Sequence, residues 1–137
     1  MAGFETKRLP RVADTVAPDG SDVRVLLGLA GGGLAHFALA PGRTSVAVAH
    51  RTVEEIWFFL SGRGEMWRKL GDAEQVVTVD AGVCITIPVH TQFQFRSVGG
   101  EALSAVAVTM PPWPGPDEAY TVSGPWTPTV TPATPGR

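Results

Sequence analysis

The stretch Gly42-Arg-Thr-Ser-Val-Ala-Val48-Ala-His50-Arg-Thr-Val-Glu-Glu55, separated by six residues from Gly62, decides the fold of this chain. Successive side chains of a β-strand point to opposite faces, so Val48 and His50 share one face. By the same alternation, Glu55 shares a face with Trp57 and Phe59. The stretch therefore predicts two short strands, one presenting a histidine and the next a carboxylate.

The rest of the chain continues this β pattern from residue 22 to residue 110, and no helical period interrupts it. Breaks rich in Gly, Pro, Asp and Ser separate the apolar runs, which is typical of turns between strands. Nine strands are predicted: Val23–Leu29, Leu34–Ala40, Ser45–His50, Glu55–Leu60, Glu65–Leu70, Gln75–Val79, Val83–Pro88, Phe93–Val98 and Leu103–Thr109. The fold class is all-β, and the pattern alone leaves a sandwich and a barrel open.

A second stretch has Gly82, then Pro88 after five residues, then Phe93 after four more. Together the two stretches resemble the paired motifs of the cupin family. The matching positions are Gly42, His50, Glu55, Gly62, Gly82 and Pro88. The departures are Val48 and Phe93 in place of metal-binding histidines, His90 in place of a glycine and Ser97 in place of an asparagine. The resemblance implies a small single-domain cupin, a double-stranded β-helix or jelly-roll barrel.

Proline placement divides the chain. Eight of its twelve prolines follow residue 110, and proline removes a backbone donor, so this stretch is not expected to form a central strand or a helix interior. We predict an N-terminal arm over residues 1–20, a barrel over 21–110 and a Pro- and Trp-rich tail over 111–137, disordered from Pro128 onward. Trp113, Tyr120 and Trp126 suit packing over the outside of the barrel; a lid or a dimer arm is the alternative.

Charge and cysteine content exclude several classes of function. A net charge of −2 with well-mixed signs offers no basic stripe for nucleic acid. Neither a signal sequence nor an apolar run of membrane-spanning length is present, so we expect a cytoplasmic protein without a membrane partner. The single cysteine, Cys84, lies in an apolar run and is predicted to be a buried, inert thiol in a reducing compartment.

The ligand count argues against a resident metal. Catalytic zinc sites hold three protein ligands plus water, whereas the matched positions supply only His50 and Glu55. Val48 and Phe93 cannot donate to a metal. His36 or His90 could supply a third ligand: His36 by strand register, His90 from a loop. No cofactor is favoured, and a divalent metal on His50 and Glu55 with His36 or His90 is the alternative.

The matched pair instead predicts a small-molecule pocket. We assign His50 and Glu55 as catalytic residues. Substrate-binding residues are predicted at His36, Val48, Trp57, Phe59, His90, Phe93 and Phe95. An aromatic wall raises the pKa of a carboxylic acid and lowers that of an imidazole, while the charge of each partner acts in the opposite direction. Such a pair titrates as a unit near neutrality, which suits proton abstraction and return.

Three functions follow from this pocket. The first is a metal-independent proton-transfer enzyme, with isomerisation, epimerisation, dehydration or cyclisation as its reaction and specialised metabolism as one setting. The second is a non-catalytic binding or sensing barrel, and the third is a metal-dependent cupin enzyme with a reduced ligand set. The cupin resemblance implies a homodimer formed by exchanged terminal strands. Fold does not choose among these functions.

Overall fold

Antiparallel strands make up the whole architecture. The computed structural model describes residues 3–131, and over that range the chain forms eleven strands and no helix. The strands are β1 (Thr15–Val16), β2 (Asp22–Leu29), β3 (Gly32–Leu39), β4 (Val48–His50), β5 (Glu54–Ser61), β6 (Arg63–Leu70), β7 (Ala73–Asp80), β8 (Cys84–Ile87), β9 (Gln92–Ser97), β10 (Leu103–Met110) and β11 (Ala119–Thr121). Within residues 3–131, no helix of the length and apolarity needed to cross a membrane is found.

Two sheets face each other. A six-stranded sheet has the order β1-β2-β3-β10-β5-β8, and a five-stranded sheet has the order β11-β4-β9-β6-β7. Alternating side chains of both sheets meet between them, and the largest buried ones include Trp57, Phe59, Phe93 and Phe95. The predicted all-β barrel of the double-stranded β-helix type is confirmed.

All nine predicted strands form, and β4 is the one that is shortened most. It begins at Val48 rather than at Ser45, because the backbone N–H of Ser45 donates to the carbonyl of Phe95 and that of Val46 to the carbonyl of Asp19. The two further strands, β1 and β11, come from the terminal segments. Each has only two or three residues, too few to show a periodicity in sequence.

The motif glycines keep the chain in turns that other residues resist. Gly42, Gly62 and Gly82 have positive φ angles of 75°, 79° and 95°. At Gly62 a side chain would also strike the carbonyl of Ala102. Positive φ costs a residue with a side chain about 1–2 kcal/mol, so these positions account for the spacing of the motif.

Cys84 contradicts its prediction, because its side chain is exposed. In β8 the residues Ile85 and Ile87 face the core, so Cys84 points to the outer face of the six-stranded sheet. The apolar run around it has one buried face only. Periodicity over four residues does not separate such a strand from one that is buried on both faces.

The C-terminal segment packs against the outside of the five-stranded sheet. The amide of Gln94 exchanges two hydrogen bonds with the backbone of Trp126, and the Arg96 guanidinium lies 4.1 Å from the centre of the Trp126 ring. Thr129 and Thr44 are joined by further hydrogen bonds. Residues 132–137, part of the stretch predicted to be disordered, lie outside the described residues.

Candidate functional site

A small cavity lies between the two sheets and carries the predicted catalytic pair. Its volume is about 20 Å³, room for about one water molecule. The lining residues are Ala17, Pro18, Asp19, Phe37, Val48, His50, Glu55, Trp57, Phe93 and Trp113. Five of these ten were predicted as site residues, namely Val48, His50, Glu55, Trp57 and Phe93.

His50 and Glu55 reach the cavity from opposite sheets. His50 ends β4 of the five-stranded sheet, and Glu55 lies near the start of β5 of the six-stranded sheet. A short turn joins them, and the distance from His50 Nδ1 to Glu55 Oε2 is 3.8 Å. Their exposed fractions are 5% and 3%. The two groups thus form a close, buried acid–base pair.

Trp57 fixes the carboxylate. Its indole Nε1–H donates to Glu55 Oε1 at 2.6 Å, two residues along the same face of β5. The Trp57 ring stacks on Phe37 with centroids 5.4 Å apart and meets Phe93 edge-on at 5.9 Å. Because aromatic neighbours hold this ring, one oxygen of Glu55 is tied down and the other is left on the side of His50.

Hydrocarbon side chains occupy two positions where the cupin motif has metal ligands. Val48 and Phe93 are paired across β4 and β9, and the Phe93 ring lies 5.4 Å from that of His50, nearly perpendicular to it. No group of three or more His, Cys, Asp or Glu side chains suited to a metal occurs among residues 3–131. The motif positions thus supply two donors, His50 and Glu55, whereas a bound divalent metal takes three or four ligands, and Asp19 is a further carboxylate in the cavity lining.

Terminal segments cover the cavity. The Trp113 ring meets His50 edge-on, with centroids 5.0 Å apart. From the N-terminal side, the backbone N–H of Val46 donates to the carbonyl of Asp19, and Asp19 Oδ1 accepts hydrogen bonds from the backbone and hydroxyl of Ser21. We call residues 17–19 and 111–118 the cover. Sequence reasoning missed Asp19 as a site residue, since a lone Asp before a glycine reads as an ordinary turn.

Glu118 ties the cover to the turn between His50 and Glu55. Its carboxylate accepts hydrogen bonds from Thr52 N–H at 2.7 Å, from the Thr52 hydroxyl at 2.6 Å and from Val53 N–H at 2.8 Å. Its backbone carbonyl accepts from Arg51 N–H at 2.9 Å. The segment that carries Trp113 therefore also holds the turn that sets the spacing of the catalytic pair. No sequence signal marked Glu118.

Opposing effects set the pKa of Glu118. Burial alone would raise this pKa, but the hydrogen bonds from the Thr52 hydroxyl and from the backbone of Thr52 and Val53 lower it, as does the charge of His50. The net result is a lowered pKa. The carboxylate is thus ionised at neutral pH, in the form that the turn requires.

Four predicted binding residues do not line the cavity. Phe59 and Phe95 pack behind Trp57, with centroid distances of 6.0 and 5.2 Å. His36 alternates with the core residues Ala35 and Phe37, so it lies on the outer face of β3 between Arg24 and Val106. β3 pairs with β2 and β10, not with β4, so neither of the registers against β4 considered for His36 applies.

His90 stays outside the cavity as well. Its side chain is exposed, and its backbone N–H donates to the carbonyl of His50 at 3.2 Å. Its φ angle is 70°, the left-handed conformation that a glycine adopts readily. This explains the glycine of the cupin motif at this position. At His36, on the outer face of β3, burial lowers the pKa of the imidazole, and the charge of Arg24 lowers it further.

The family whose profile is described as "Cupin domain" matches residues 35–109, more than half of the chain. The chain belongs to the cupin family. This cupin has no match among curated protein sequences.

Solved structures agree with the cupin assignment. Oxalate decarboxylase from Bacillus subtilis superposes with a TM-score of 0.67 at 15% identity, over 80% of this chain and 29% of the decarboxylase. An uncharacterised protein with a double-stranded β-helix domain from Klebsiella pneumoniae superposes with a TM-score of 0.65 at 19% identity, over 87% of this chain and all of that one. At such identities the likeness shows the fold alone.

The decarboxylase is a longer protein, and this cupin spans less than a third of its length. The capsular polysaccharide assembling protein CapF from Staphylococcus aureus superposes with a TM-score of 0.63 at 15% identity, over 84% of this chain. CapF is also the longer protein, since the match covers 32% of it. The B. subtilis decarboxylase has Mn(II) centres. Cupins thus include metal-binding enzymes, and in this chain Val48 and Phe93 occupy two of the ligand positions of the motif.

Proposed function

We propose that this cupin binds a small, flat, largely apolar molecule between Trp57, Phe93 and Trp113 and moves a proton on it without a metal. One observation carries the proposal: His50 and Glu55 face each other at 3.8 Å in a cavity where Val48 and Phe93 stand at the other two ligand positions of the motif. The site keeps an acid and a base, with Asp19 as a further carboxylate in the lining and apolar side chains over most of the rest.

Desolvation gives the pair its chemical use. His50 and Glu55 are almost fully buried, and aromatic rings supply most of their surroundings, so water competes little for a proton in transit. Groups of this type, held within reach of a substrate, contribute about 10²–10⁴-fold to a proton-transfer rate. Trp57 adds a fixed donor to Glu55 and keeps one carboxylate oxygen in place.

The chemistry balances with these two groups alone. One group of the pair takes a proton from a carbon next to a carbonyl, the electrons of the C–H bond move onto the carbonyl oxygen, and an enolate forms. The other group returns a proton to the same or a neighbouring carbon. Isomerisation and epimerisation need no oxidant or co-reactant on this route, and dehydration loses only water.

A ligand can enter only when the cover moves. The cavity of about 20 Å³ is far below the 300 Å³ and more of most ligand sites. Trp113 lies between Pro112 and Pro114 and meets His50 through a ring edge, whereas the other aromatic residues of the cavity belong to hydrogen-bonded strands. We therefore place the opening motion at Trp113, with Glu118 as the fixed end of the segment.

Solvent exchange tests the proposal with a panel of candidate substrates. Small ketones, lactones and enones with a flat ring are incubated with the protein in D₂O, and deuterium uptake at carbon is followed by NMR. Glu55→Gln is expected to slow uptake at least about 100-fold. Glu54→Gln is the matched control, since this neighbouring carboxylate is exposed on the opposite face of β5, and it should leave uptake unchanged.

The same experiment separates enzyme from binding protein. A panel member that binds, by line broadening or a shifted melting temperature, yet takes up no deuterium would favour the non-catalytic binding barrel. Equal uptake by the wild type and Glu55→Gln would remove Glu55 from the chemistry.

A further inference from the structure

The outer face of the six-stranded sheet differs from the surface of an ordinary monomer. On β3, β10, β5 and β8 the outward side chains are mostly apolar, and several large ones are exposed. The apolar face, as we name it, consists of Leu34, His36, Val106, Val108, Ile56, Phe58, Leu60, Cys84 and Thr86. Leu34, Ile56, Phe58 and Leu60 are each 39–44% exposed. Contiguous exposed patches of this kind mark interaction sites.

Cross-strand register makes the face continuous. Leu34, Val108 and Ile56 form one row across β3, β10 and β5, and His36, Val106 and Phe58 form the next row. Adjacent rows of the same face are two residues apart along each strand, so their side chains touch. The face is therefore one surface and not a set of scattered apolar residues.

The outer face of the five-stranded sheet provides the contrast. It carries Glu65 and Lys69 on β6, Glu74 on β7 and Arg96 on β9, and the segment around Trp126 packs on part of it. One outer face of the molecule is therefore charged and partly covered by the chain itself. The other is apolar and has exposed side chains over β3, β10, β5 and β8, while residues 7–11 bond to β2 at its edge.

We propose that the apolar face packs against the same face of a second copy of this chain. In a two-fold dimer the same surface of both copies forms the interface, so a charged group near the axis would lie close to the same charge on the second copy. Among the outward positions of β3, β10, β5 and β8, the acidic or basic residues are Glu54 at the rim and His36, whose pKa is lowered. Beside His36 on β2, Arg24 marks the edge of the face, and its guanidinium donates to the carbonyls of Pro10 and Arg11 of its own chain. A surface with so little charge suits self-association, whereas a partner of different sequence would more often be matched through charge.

The apolar face supplies more than half of the area that each partner of a stable dimer buries. Four strands about 4.8 Å apart, with about seven residues at about 3.4 Å each, cover roughly 19 Å by 24 Å, or about 450 Å² in projection. An apolar groove of about 680 Å³ continues the face, since Leu34 and Val108 line both, and the fully exposed Phe4 lies on its other wall. The projected area is a little over half of the roughly 800 Å² per partner of a stable dimer, and the corrugated side chains and the groove extend it.

Both terminal strands pair within their own chain, β1 with β2 and β11 with β4. The dimer proposed here therefore needs no exchange of strands. It also leaves the cavity free, because Glu55, Trp57 and Phe59 point inward from β5 while Ile56 and Phe58 point outward.

Sedimentation or light scattering at micromolar concentration tests the dimer. The wild type is expected at about 29 kDa, twice the 14.5 kDa chain. Phe58→Glu should shift the mass toward the monomer by raising the dissociation constant about 30-fold or more. Val76→Glu is the matched control, a half-exposed apolar residue on the outer face of the five-stranded sheet, and it should remain dimeric.

A monomeric wild type, or a Phe58→Glu variant that stays dimeric, would overturn the proposal. If Phe58→Glu fails to fold, the wild type still decides the matter, since Cys84 lies beside Phe58 across β5 and β8. Alkylation of this single cysteine should become at least about tenfold faster when the protein is diluted below the dissociation constant. A rate independent of concentration would contradict a contact at this face.

Discussion

The floor and the cover of the cavity are built in different ways. The floor consists of Phe37, Val48, Trp57 and Phe93, which lie on hydrogen-bonded strands inside the matched cupin region. The cover consists of residues 17–19 and 111–118, which lie outside that region. These residues are not in strands; they follow β1 and precede β11. The floor thus contributes most to stability and sets the shape of the site, whereas the cover controls access to it.

Among substitutions in the floor, we expect the largest loss of stability at Trp57. Trp57→Ala removes four aromatic contacts and the donor to Glu55, and leaves a large hole in the core. We expect the free energy of unfolding to fall by about 3–5 kcal/mol in urea denaturation. Trp57→Phe keeps most of the packing and should recover more than half of that loss. Equal losses in both variants would mean that the indole N–H, and not the packing, dominates.

Glu118 tests the hydrogen bonds that join the cover to the turn between His50 and Glu55. Glu118→Gln keeps the shape and removes the charge that three donors require, so we expect a loss of about 2 kcal/mol at pH 7. Because the folded-state pKa is lowered, the wild-type carboxylate contributes its stability above the ordinary carboxyl pKa and loses it as pH falls through the lower folded value. The difference between the two proteins should therefore shrink in acid. A constant difference from pH 7 to pH 3 would contradict this assignment.

Strand periodicity and motif spacing account for the floor and for the fold. Alternation and the cupin motif predict that Val48, His50, Glu55, Trp57 and Phe93 lie together, and the cavity brings them together. The cover could not be found in this way. Trp113 and Glu118 act through long-range contacts from a proline-rich segment, and such contacts leave no period in sequence.

His36 shows the other limit. Its face depends on which strand pairs with β3, and that choice is made by the whole sheet. The registers predicted for His36 pair β3 with β4, its neighbour in sequence, whereas the partners of β3 are β2 and β10.

His90 offers a smaller test at the rim of the floor. His90→Gly relieves the left-handed backbone at a φ of 70° and removes a side chain that is already exposed. We expect stability to rise by about 0.5–1 kcal/mol in thermal or urea unfolding, with unchanged deuterium exchange into substrate. A loss of exchange would instead assign the His90 side chain to the site.

Trp113 should show the smallest change in stability and a clear change in access. Trp113→Ala removes one edge-on contact with His50 from a half-buried position, so we expect a loss of less than about 1 kcal/mol. Association of a panel ligand, measured by stopped flow, should become about tenfold faster because the opening step is removed. An unchanged association rate would place the entrance elsewhere.

Metal content is the most direct test of the central claim, that His50 and Glu55 act without a metal. After dialysis against a chelator and then against Mn²⁺ or Zn²⁺, the wild type is expected to retain less than about a tenth of a metal ion per chain, and the double variant Val48→His with Phe93→His to retain about one. Deuterium exchange by the metal-poor wild type should persist. A stoichiometric metal in the wild type that is lost in His50→Ala, together with exchange that disappears in chelator, would contradict the account.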